Sequence, residues 1–284
     1  MIAAERDLYC VDLVNMIRQQ CDVKMSQETK LRQFEREIDS WRCRIKDAND
    51  RKTCDEVFDK RTLMTIYKLF SDGVFDRLDF PISTGKEANV FRGITVSGDF
   101  VAIKIFRLST ATFKNLGKYL HGDPRFKKVA RRFPDIIFAW AEKEFRNLER
   151  FNEIGIKVPG PLAVHRNILV MEYIGDEISP AKTLKEVGPS DPTELADYLL
   201  GCIRKAYSKV RIVHGDLSEY NVLMAEEGPV IIDLGQAVLL DHWMAQELLE
   251  RDVFNMARYF KKFGVEIDVN SELKRIRENK LATS

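Results

Sequence analysis

The chain has 284 residues, which is enough for a sizeable hydrophobic core in one large domain or two lobes. A hydrophobic fraction of 45% and a charged fraction of 31% are typical of a globular protein with a densely charged surface. Lys plus Arg (45) and Asp plus Glu (44) nearly balance, so the net charge does not indicate nucleic-acid binding, although a local basic patch is compatible with it.

The cysteines and the apolar runs indicate the kind of compartment. None of the five cysteines forms a C-x-x-C pair, which favours free thiols in a reducing compartment and no zinc site. The start "MIAAERDLYC" carries charges where a signal peptide would be apolar. No apolar run approaches the ~18 residues needed to cross a bilayer. We therefore expect no contact with a membrane.

Residues 1–75 are predicted to form a helical N-terminal extension. Two segments, "LRQFEREIDSWRCRIKDA" and "DEVFDKRTLMTIYKLF", place apolar residues at steps of three and four, the period of an amphipathic helix. The residues "SDG" at 71–73 mark the end of the second helix.

The pattern changes near Phe80. Alternating β-branched and aromatic residues in "ANVFRGITVSGDFVAIKIFRL", interrupted by "VSGD", predict two strands and a turn. A helix over "IIFAWAEKEFRNLERFNEIG" and a strand pair over "VPGPLAVHRNILVMEYIG" follow, and the remainder is mostly helical. Because strands precede helices, the sequence predicts an α+β fold with a strand-rich lobe over 76–171 and a helical lobe over 172–284.

A lysine and a glutamate are the first candidates for a functional site. Lys104 ends the apolar strand "VAIK", where its ammonium could hold the α- and β-phosphates of a nucleotide. Such a lysine needs an orienting carboxylate, for which we favour Glu144 in the following helix, with Glu142 as the alternative. Taken singly, an exposed strand lysine and a solvated helix glutamate would produce the same pattern.

The segments "HGDLSEYNVL" and "IIDLG" supply oxygen ligands. Asp216 is placed to accept or orient the proton of an attacking hydroxyl, and Asn221 is placed to hold a metal. Asp233 follows an apolar strand and is placed to hold Mg²⁺ between phosphates. The adenine is expected under "VMEYIG", where Met171 and Ile174 can offer main-chain groups. The order and spacing of these residues predict a nucleotide-dependent phosphotransferase.

The turn that should cover the phosphates departs from the ordinary kinase pattern. The glycine triplet G-x-G-x-x-G is absent, and "STGKEANVFRG" stands in its place. We expect a polar turn around Gly85, in which Ser83, Thr84 and Lys86 can meet phosphate.

The catalytic loop departs from that pattern as well. Gly215 replaces the Arg of H-R-D, and no A-P-E segment follows "IIDLGQAV". Both the loop-phosphorylation switch and the peptide-docking platform of ordinary protein kinases are therefore expected to be missing.

Together, "STGKEANVF", "VAIKIF", "EKEFRNL", "MEYIG", "HGDLSEYNVL" and "IIDLGQAV" resemble the RIO family of atypical protein kinases, in its archaeal-like type-one subgroup, over roughly residues 55 to 265. The resemblance implies a two-lobed protein-kinase-like fold. It implies a cytoplasmic serine/threonine kinase, an ATPase, or both, which uses ATP with Mg²⁺ or Mn²⁺. It also implies action in small-ribosomal-subunit maturation, with the protein and rRNA of the pre-ribosomal particle as partners.

The resemblance also assigns roles to individual residues. It makes Asp216 the catalytic aspartate, Asn221 and Asp233 ligands of Mg²⁺, and Lys104 a ligand of ATP. In an ATPase cycle Asp233 would accept the phosphoryl group.

Residues 107–134, called the basic connection below, join the strand of Lys104 to the helix of Glu144. This stretch is long for such a connection, and it suits either a solvated mobile loop or a flap that contacts ribosomal RNA or nucleotide. Its eight cations are Arg107, Lys114, Lys118, Arg125, Lys127, Lys128, Arg131 and Arg132.

Two other functions are compatible with parts of the sequence. Small-molecule phosphotransferases of the aminoglycoside and choline kinase type share "HGDxxxxN", but they need an enclosed acceptor pocket. A non-catalytic ribosome-binding module that only binds ATP would not need all the polar residues of a phosphotransferase site.

Overall fold

The computed structural model describes residues 59–108, 117–126 and 134–278, all within the compact unit Glu56–Ser284. The helix predicted over "LRQFEREIDSWRCRIKDA" lies outside these residues. The described chain has the two-lobed architecture of a protein kinase, with a strand-rich lobe followed by a helical lobe. The lobe boundaries at 75/76 and 171/172 stay predictions. No helix in the described ranges is both long and apolar enough to cross a bilayer.

The strand-rich lobe is built on a five-stranded antiparallel sheet in the order β1-β2-β3-β5-β4. Its strands are β1 (Arg77–Thr84), β2 (Ala88–Ile94), β3 (Phe100–Phe106), β4 (Pro161–His165) and β5 (Ile168–Glu172). Strand β3 is central and buried along nearly its whole length, as its Val and Ile residues predict. The two strand pairs predicted from the sequence are present.

Helix α1 (Lys60–Ser71) packs against this sheet. The side chain of Asp59 caps its first turn by accepting from the amide of Thr62. Asn167, in the turn between β4 and β5, donates to the Thr62 hydroxyl at 2.8 Å and to the Phe106 carbonyl at 2.9 Å. These buried bonds fix the predicted helix to the lobe that carries Lys104.

Helical elements form the second lobe together with short strand pairs. Between β3 and β4, the chain forms the short helix α2 (Gly117–Leu120), a 3-10 turn (Pro124–Phe126) and the long helix α3 (Asp135–Glu153). The later helices are α4 (Leu184–Val187), α5 (Pro192–Lys205), α6 (Ala245–Lys261) and α7 (Val269–Glu278). The later strands are β6 (Lys182–Thr183), β7 (Ile212–Val213), β8 (Val222–Ala225), β9 (Gly228–Ile231) and β10 (Val238–Leu239).

One hydrophobic core joins α3 to the helices of the second lobe. Its buried members include Leu148 and Phe151 of α3, Leu199 of α5, and Val253 and Phe260 of α6. The same core also includes residues of β3 and β5, so α3 packs against the strand-rich lobe as well as against the helical lobe.

Strand β1 differs from the sequence prediction. Ser83 and Thr84, which we expected in a polar turn, pair with β2 at the end of β1. The turn itself is shorter and consists of Gly85, Lys86 and Glu87. Proline and charged residues weaken the strand pattern in the sequence of β1. Pro81 cannot donate a hydrogen bond to a ladder, and it is tolerated because β1 lies at the edge of the sheet.

Candidate active site

Lys104 lies in the middle of the site. It projects from β3, and its Nζ lies 2.7 Å and 2.8 Å from the two carboxylate oxygens of Glu144 on α3. Both side chains are buried. Glu142, the alternative partner, instead pairs with Arg146 on the exposed face of α3. The tertiary structure therefore selects Glu144.

Asp233 is the second partner of Lys104. Its Oδ1 lies 3.0 Å from Lys104 Nζ, although the two residues are 129 positions apart. Asp233 has a left-handed backbone (φ 62°), a sparsely populated region for a non-glycine residue that is often seen at functional sites. This turn presents a carboxylate that is 48% exposed, so it remains accessible to a ligand.

The charges of these three residues are coupled. Burial opposes the charge of Lys104, but Asp233 and Glu144 hold its pKa above the ordinary value. The cation of Lys104 lowers the pKa of Asp233, which keeps this carboxylate ionised. Burial raises the pKa of Glu144 to about 7, and Lys104 opposes that rise.

Helix α3 also holds the segment that follows Asp233. The fully buried Lys143 donates to the carbonyls of Gly235 at 2.6 Å and Ala237 at 2.5 Å. Asn147, one turn along the helix, donates to the carbonyl of Leu234 at 2.9 Å. Burial lowers the pKa of Lys143 to about 7. Sequence reasoning missed this pair, although two polar residues at i and i+4 beside Glu144 were a usable signal.

Asp216 lies in a loop that is anchored by the buried carboxylate of Asp252. Asp252 of α6 accepts hydrogen bonds from the amides of Gly215 at 2.7 Å and Leu217 at 2.9 Å, the residues on either side of Asp216. Burial raises the pKa of Asp252 to about 7. Gly215 has φ 78°, and a Cβ there would lie 3.1 Å from the carbonyl oxygen of Gln236. Backbone conformation and space thus explain the glycine in place of the usual arginine.

We expect Asp252→Ala to lower the free energy of unfolding by ~2–4 kcal/mol, because two buried amides lose their acceptor. Urea denaturation followed by circular dichroism measures this change. The matched control is Asp241→Ala, whose side chain is 75% exposed and should change stability by less than ~0.5 kcal/mol. Equal stabilities of the two variants would contradict the anchoring role.

Asn221 and Asp233 supply oxygen atoms of the kind that Mg²⁺ prefers. Asn221 Nδ2 donates to the carbonyl of Asp216 at 2.8 Å, which leaves its Oδ1 as the atom available to a cation. The amide of Ile232 donates to the Asn221 carbonyl at 3.0 Å and so joins the segment of Asn221 to that of Asp233. Burial raises the pKa of Asp216. No cluster of three or more His, Cys, Asp or Glu side chains is arranged for a metal within the described ranges. A site that uses one carboxylate, one amide oxygen and phosphates needs no such cluster.

The remaining predicted residues lie along the opening of the site. Ser83 and Lys86 are exposed at and beyond the end of β1. Their neighbour Glu87, which sequence reasoning missed, faces the same charges: burial and Asp233 raise its pKa, and Lys104 opposes the rise. The charge of Glu87 therefore interacts with those of Lys104 and Asp233.

The two residues expected at the adenine differ in position. Met171 lies inside the ladder, paired with Ala102 of β3. Ile174 lies beyond the end of β5, and its carbonyl accepts from the amide of Ala181 at 2.9 Å. A Cβ on the adjacent Gly175 would lie 2.5 Å from a backbone oxygen, so the chain bends sharply here. The contact of both residues with adenine stays a prediction.

Comparison with known proteins identifies relatives over most of the chain. The RIO domain family matches residues 89–273. The RIO-type serine/threonine-protein kinase Rio1 of Haloferax volcanii is 42% identical over 240 residues, which cover 84% of this chain and 82% of that protein. The serine/threonine-protein kinase RIO1 of Homo sapiens is 39% identical over 81% of this chain and 41% of its own length.

The solved structures show the same fold. The crystal structure of the Rio2 kinase from Chaetomium thermophilum, in a complex with ADP, Mg²⁺ and phosphoaspartate, superimposes with a TM-score of 0.59. It is 21% identical and covers 78% of this chain and 74% of its own. The likeness supports the two-lobed kinase-like architecture described above.

Proposed function

Because the chain belongs to the RIO family of serine/threonine protein kinases, we propose that it uses ATP and Mg²⁺ to phosphorylate a serine or threonine hydroxyl during small-ribosomal-subunit maturation in the cytoplasm. The observation that carries the proposal is the convergence of three distant residues. Lys104 bridges the carboxylates of Glu144 and Asp233, which lie 40 and 129 positions away along the chain. Such convergence is expected of a nucleotide site, whereas a structural ion pair needs only one carboxylate for its lysine.

The proposed kinase mechanism assigns a task to each of these residues. Lys104, oriented by Glu144, binds the α- and β-phosphates, and Ser83 and Lys86 contact the phosphates from the turn above. Asp216 orients the acceptor hydroxyl and accepts its proton as the oxygen attacks the γ-phosphorus, and the bond from this phosphorus to the bridging oxygen of ADP breaks.

Adenine recognition would come from main-chain groups at the end of β5. Met171 lies in β5, and Ile174 lies two residues beyond its end, at the bend. Their backbone groups would meet the edge of the base.

Asn221 Oδ1 and the carboxylate of Asp233 would hold Mg²⁺, or Mn²⁺ in its place. The ion, when bound, neutralises charge on the phosphates. The residues fit this ion because both offer oxygen atoms and because Asp233 is ionised and half exposed.

An ATPase cycle on the same site is part of the proposal. The ionised carboxylate of Asp233 would attack the γ-phosphorus, the bond to the bridging oxygen of ADP would break, and water would then hydrolyse the aspartyl phosphate. The Chaetomium Rio2 complex with ADP, Mg²⁺ and phosphoaspartate supports this proposal. The lowered pKa of Asp233 supports it too, because the nucleophile must be ionised.

One experiment separates these activities. The full chain is incubated with γ-labelled ATP and Mg²⁺, with and without small-subunit precursor particles. Label in serine of the chain or of particle proteins indicates a kinase, and free phosphate with transient label on Asp233 indicates an ATPase. Label that appears only in a small molecule other than free phosphate, or in no product at all, would contradict the proposal.

The basic connection is proposed to contact the RNA of these particles. Its cations Lys127, Lys128, Arg131 and Arg132 lie outside the described residues, so this prediction comes from the sequence alone. Lys and Arg that bind phosphates release counterions, so particle binding should weaken steeply as salt rises. Replacing these four with Ser should reduce the slope of log K against log salt by up to ~3, and autophosphorylation should change much less.

The matched control replaces four exposed lysines of the helical lobe and should keep the wild-type slope: Lys182, Lys209, Lys261 and Lys274. Particle binding would be measured by co-sedimentation at several salt concentrations. An unchanged affinity and slope in the basic-connection variant would show that the connection is only a solvated link.

A further inference from the structure

Residues 117–126 of the basic connection contact the segment that follows Asp233. Tyr119 of α2 is buried, and its hydroxyl donates to Gln236 Oε1 at 2.8 Å. Its ring packs edge-on against Trp140 of α3, with centroids 5.8 Å apart. The sequence suggests a solvated loop or a flap for this stretch. In the structure, Tyr119 instead contacts the segment that follows Asp233.

Two further contacts hold this part of the connection in place. The ring nitrogen Nε2 of His242 lies 2.8 Å from the carbonyl oxygen of His121 and 3.2 Å from that of Lys118. Arg125 donates to Asn147 Oδ1 at 2.9 Å, and Asn147 donates onward to the carbonyl of Leu234. Residues 117–126 are therefore held near one end by His242 and near the other end by Asn147.

Gln236 connects Tyr119 to the catalytic aspartate. Its Nε2 donates to Asp216 Oδ2 at 3.2 Å. Its Oε1 accepts from Tyr119 and also from Arg251 Nη2, at 3.2 Å. An amide has one acceptor atom and one donor group, so two donors at Oε1 determine that the NH₂ group faces Asp216.

The contacts of Asp216 distinguish its two oxygens. Oδ2 takes the amide groups of Gln236 at 3.2 Å and Asn221 at 3.4 Å. Near Oδ1 the described residues place only Arg251, at 3.8 Å. The amide groups thus leave Oδ1 as the oxygen that can meet an acceptor hydroxyl.

We propose that Gln236 is a positioning residue that orients Asp216, and that Tyr119 orients Gln236, so that residues 117–126 contribute to turnover through these two hydrogen bonds. The inference rests on the proposed function, in which Asp216 is the catalytic aspartate. An ordinary kinase links this aspartate to its phosphorylated loop through the Arg of H-R-D. Gly215 stands there in this chain, and the Tyr119–Gln236–Asp216 chain of hydrogen bonds provides a link from a different segment.

Two substitutions of Gln236 separate positioning from packing. Gln236→Met keeps the volume and removes both hydrogen-bonding functions. Gln236→Glu keeps the acceptor for Tyr119 and Arg251 but replaces the donor that faces Asp216 with a second carboxylate. We expect kcat to fall by ~10-fold or more in both, and further in Gln236→Glu, with the KM for ATP within about twofold of wild type. Near wild-type kcat in Gln236→Glu would show that only the acceptor matters, and the proposal would be wrong.

Tyr119→Phe removes only the hydroxyl and keeps the ring on Trp140. We expect kcat to fall by about threefold to tenfold, the scale of one hydrogen bond. The matched control is Tyr259→Phe, which removes a similarly buried hydroxyl that donates to the Leu184 carbonyl at 3.0 Å. It should lose comparable stability and keep the wild-type kcat.

A double-mutant cycle tests whether Tyr119 acts through Gln236. In the Gln236→Met background, Tyr119→Phe should cause no further loss of kcat, because the hydroxyl has no partner left. Additive losses would overturn this link. If Asp216→Asn retains full turnover, the proposed function itself fails. If Asp216→Asn is inactive while the Gln236 and Tyr119 variants keep the wild-type kcat, only the present inference fails.

Discussion

Asp216→Asn is expected to lower kcat by ~10²-fold or more while ATP binding stays nearly intact. In the proposed mechanism, the carboxylate acts on the acceptor hydroxyl in the transition state, whereas Lys104 and the proposed metal ligands hold ATP. The amide of the variant can still accept from Gln236 at the position of Oδ2, so the loop should keep its shape. The loss should therefore be chemical, and single-turnover transfer from labelled ATP measures it directly.

The matched control is Asp197→Asn, on the exposed face of α5. It makes the same change of charge without contact with the site, and it should keep the wild-type kcat. Calorimetry with an ATP analogue checks that the Asp216 variant still binds nucleotide. Turnover close to wild type in Asp216→Asn would contradict the catalytic assignment.

Lys104→Ala is expected to weaken ATP binding and to lower kcat together. Its ammonium is the cation between Glu144 and Asp233, at 2.7 Å and 3.0 Å from their oxygens. Without it, the phosphates lose a charged ligand, and buried Glu144 loses the cation that opposes the rise in its pKa. A hydrogen bond to a charged group contributes ~1.5–3 kcal/mol, so we expect ATP affinity to fall by ~10- to 150-fold.

Calorimetry measures the affinity of this variant, and initial rates at saturating ATP measure its kcat. The control is Lys68→Ala, since Lys68 is an exposed helix lysine paired with Asp72. That variant should bind ATP with wild-type affinity. If Lys104→Ala had unchanged affinity and rate, Lys104 would be a structural residue of the sheet.

The motifs and the order of the elements could be read from the sequence because they depend on local spacing. Helix α3 appears in the three- and four-residue spacing of its apolar residues, and β3 in its Val and Ile residues. Asp216, Asn221 and Asp233 stood out because their residue types match the needs of phosphates and Mg²⁺ at short, fixed separations. These features also carried the family resemblance, which the comparisons confirm.

Only the tertiary structure decided which polar side chains meet. The choice of Glu144 over Glu142 depends on which face of α3 turns toward β3, and both residues fit the same helical pattern. The bond from Lys143 to Gly235 joins residues 92 positions apart, and the bond from Tyr119 to Gln236 spans 117. Local periodicity specifies elements and their buried faces, whereas a buried polar group finds its partner only when the packed elements bring the two within hydrogen-bonding distance.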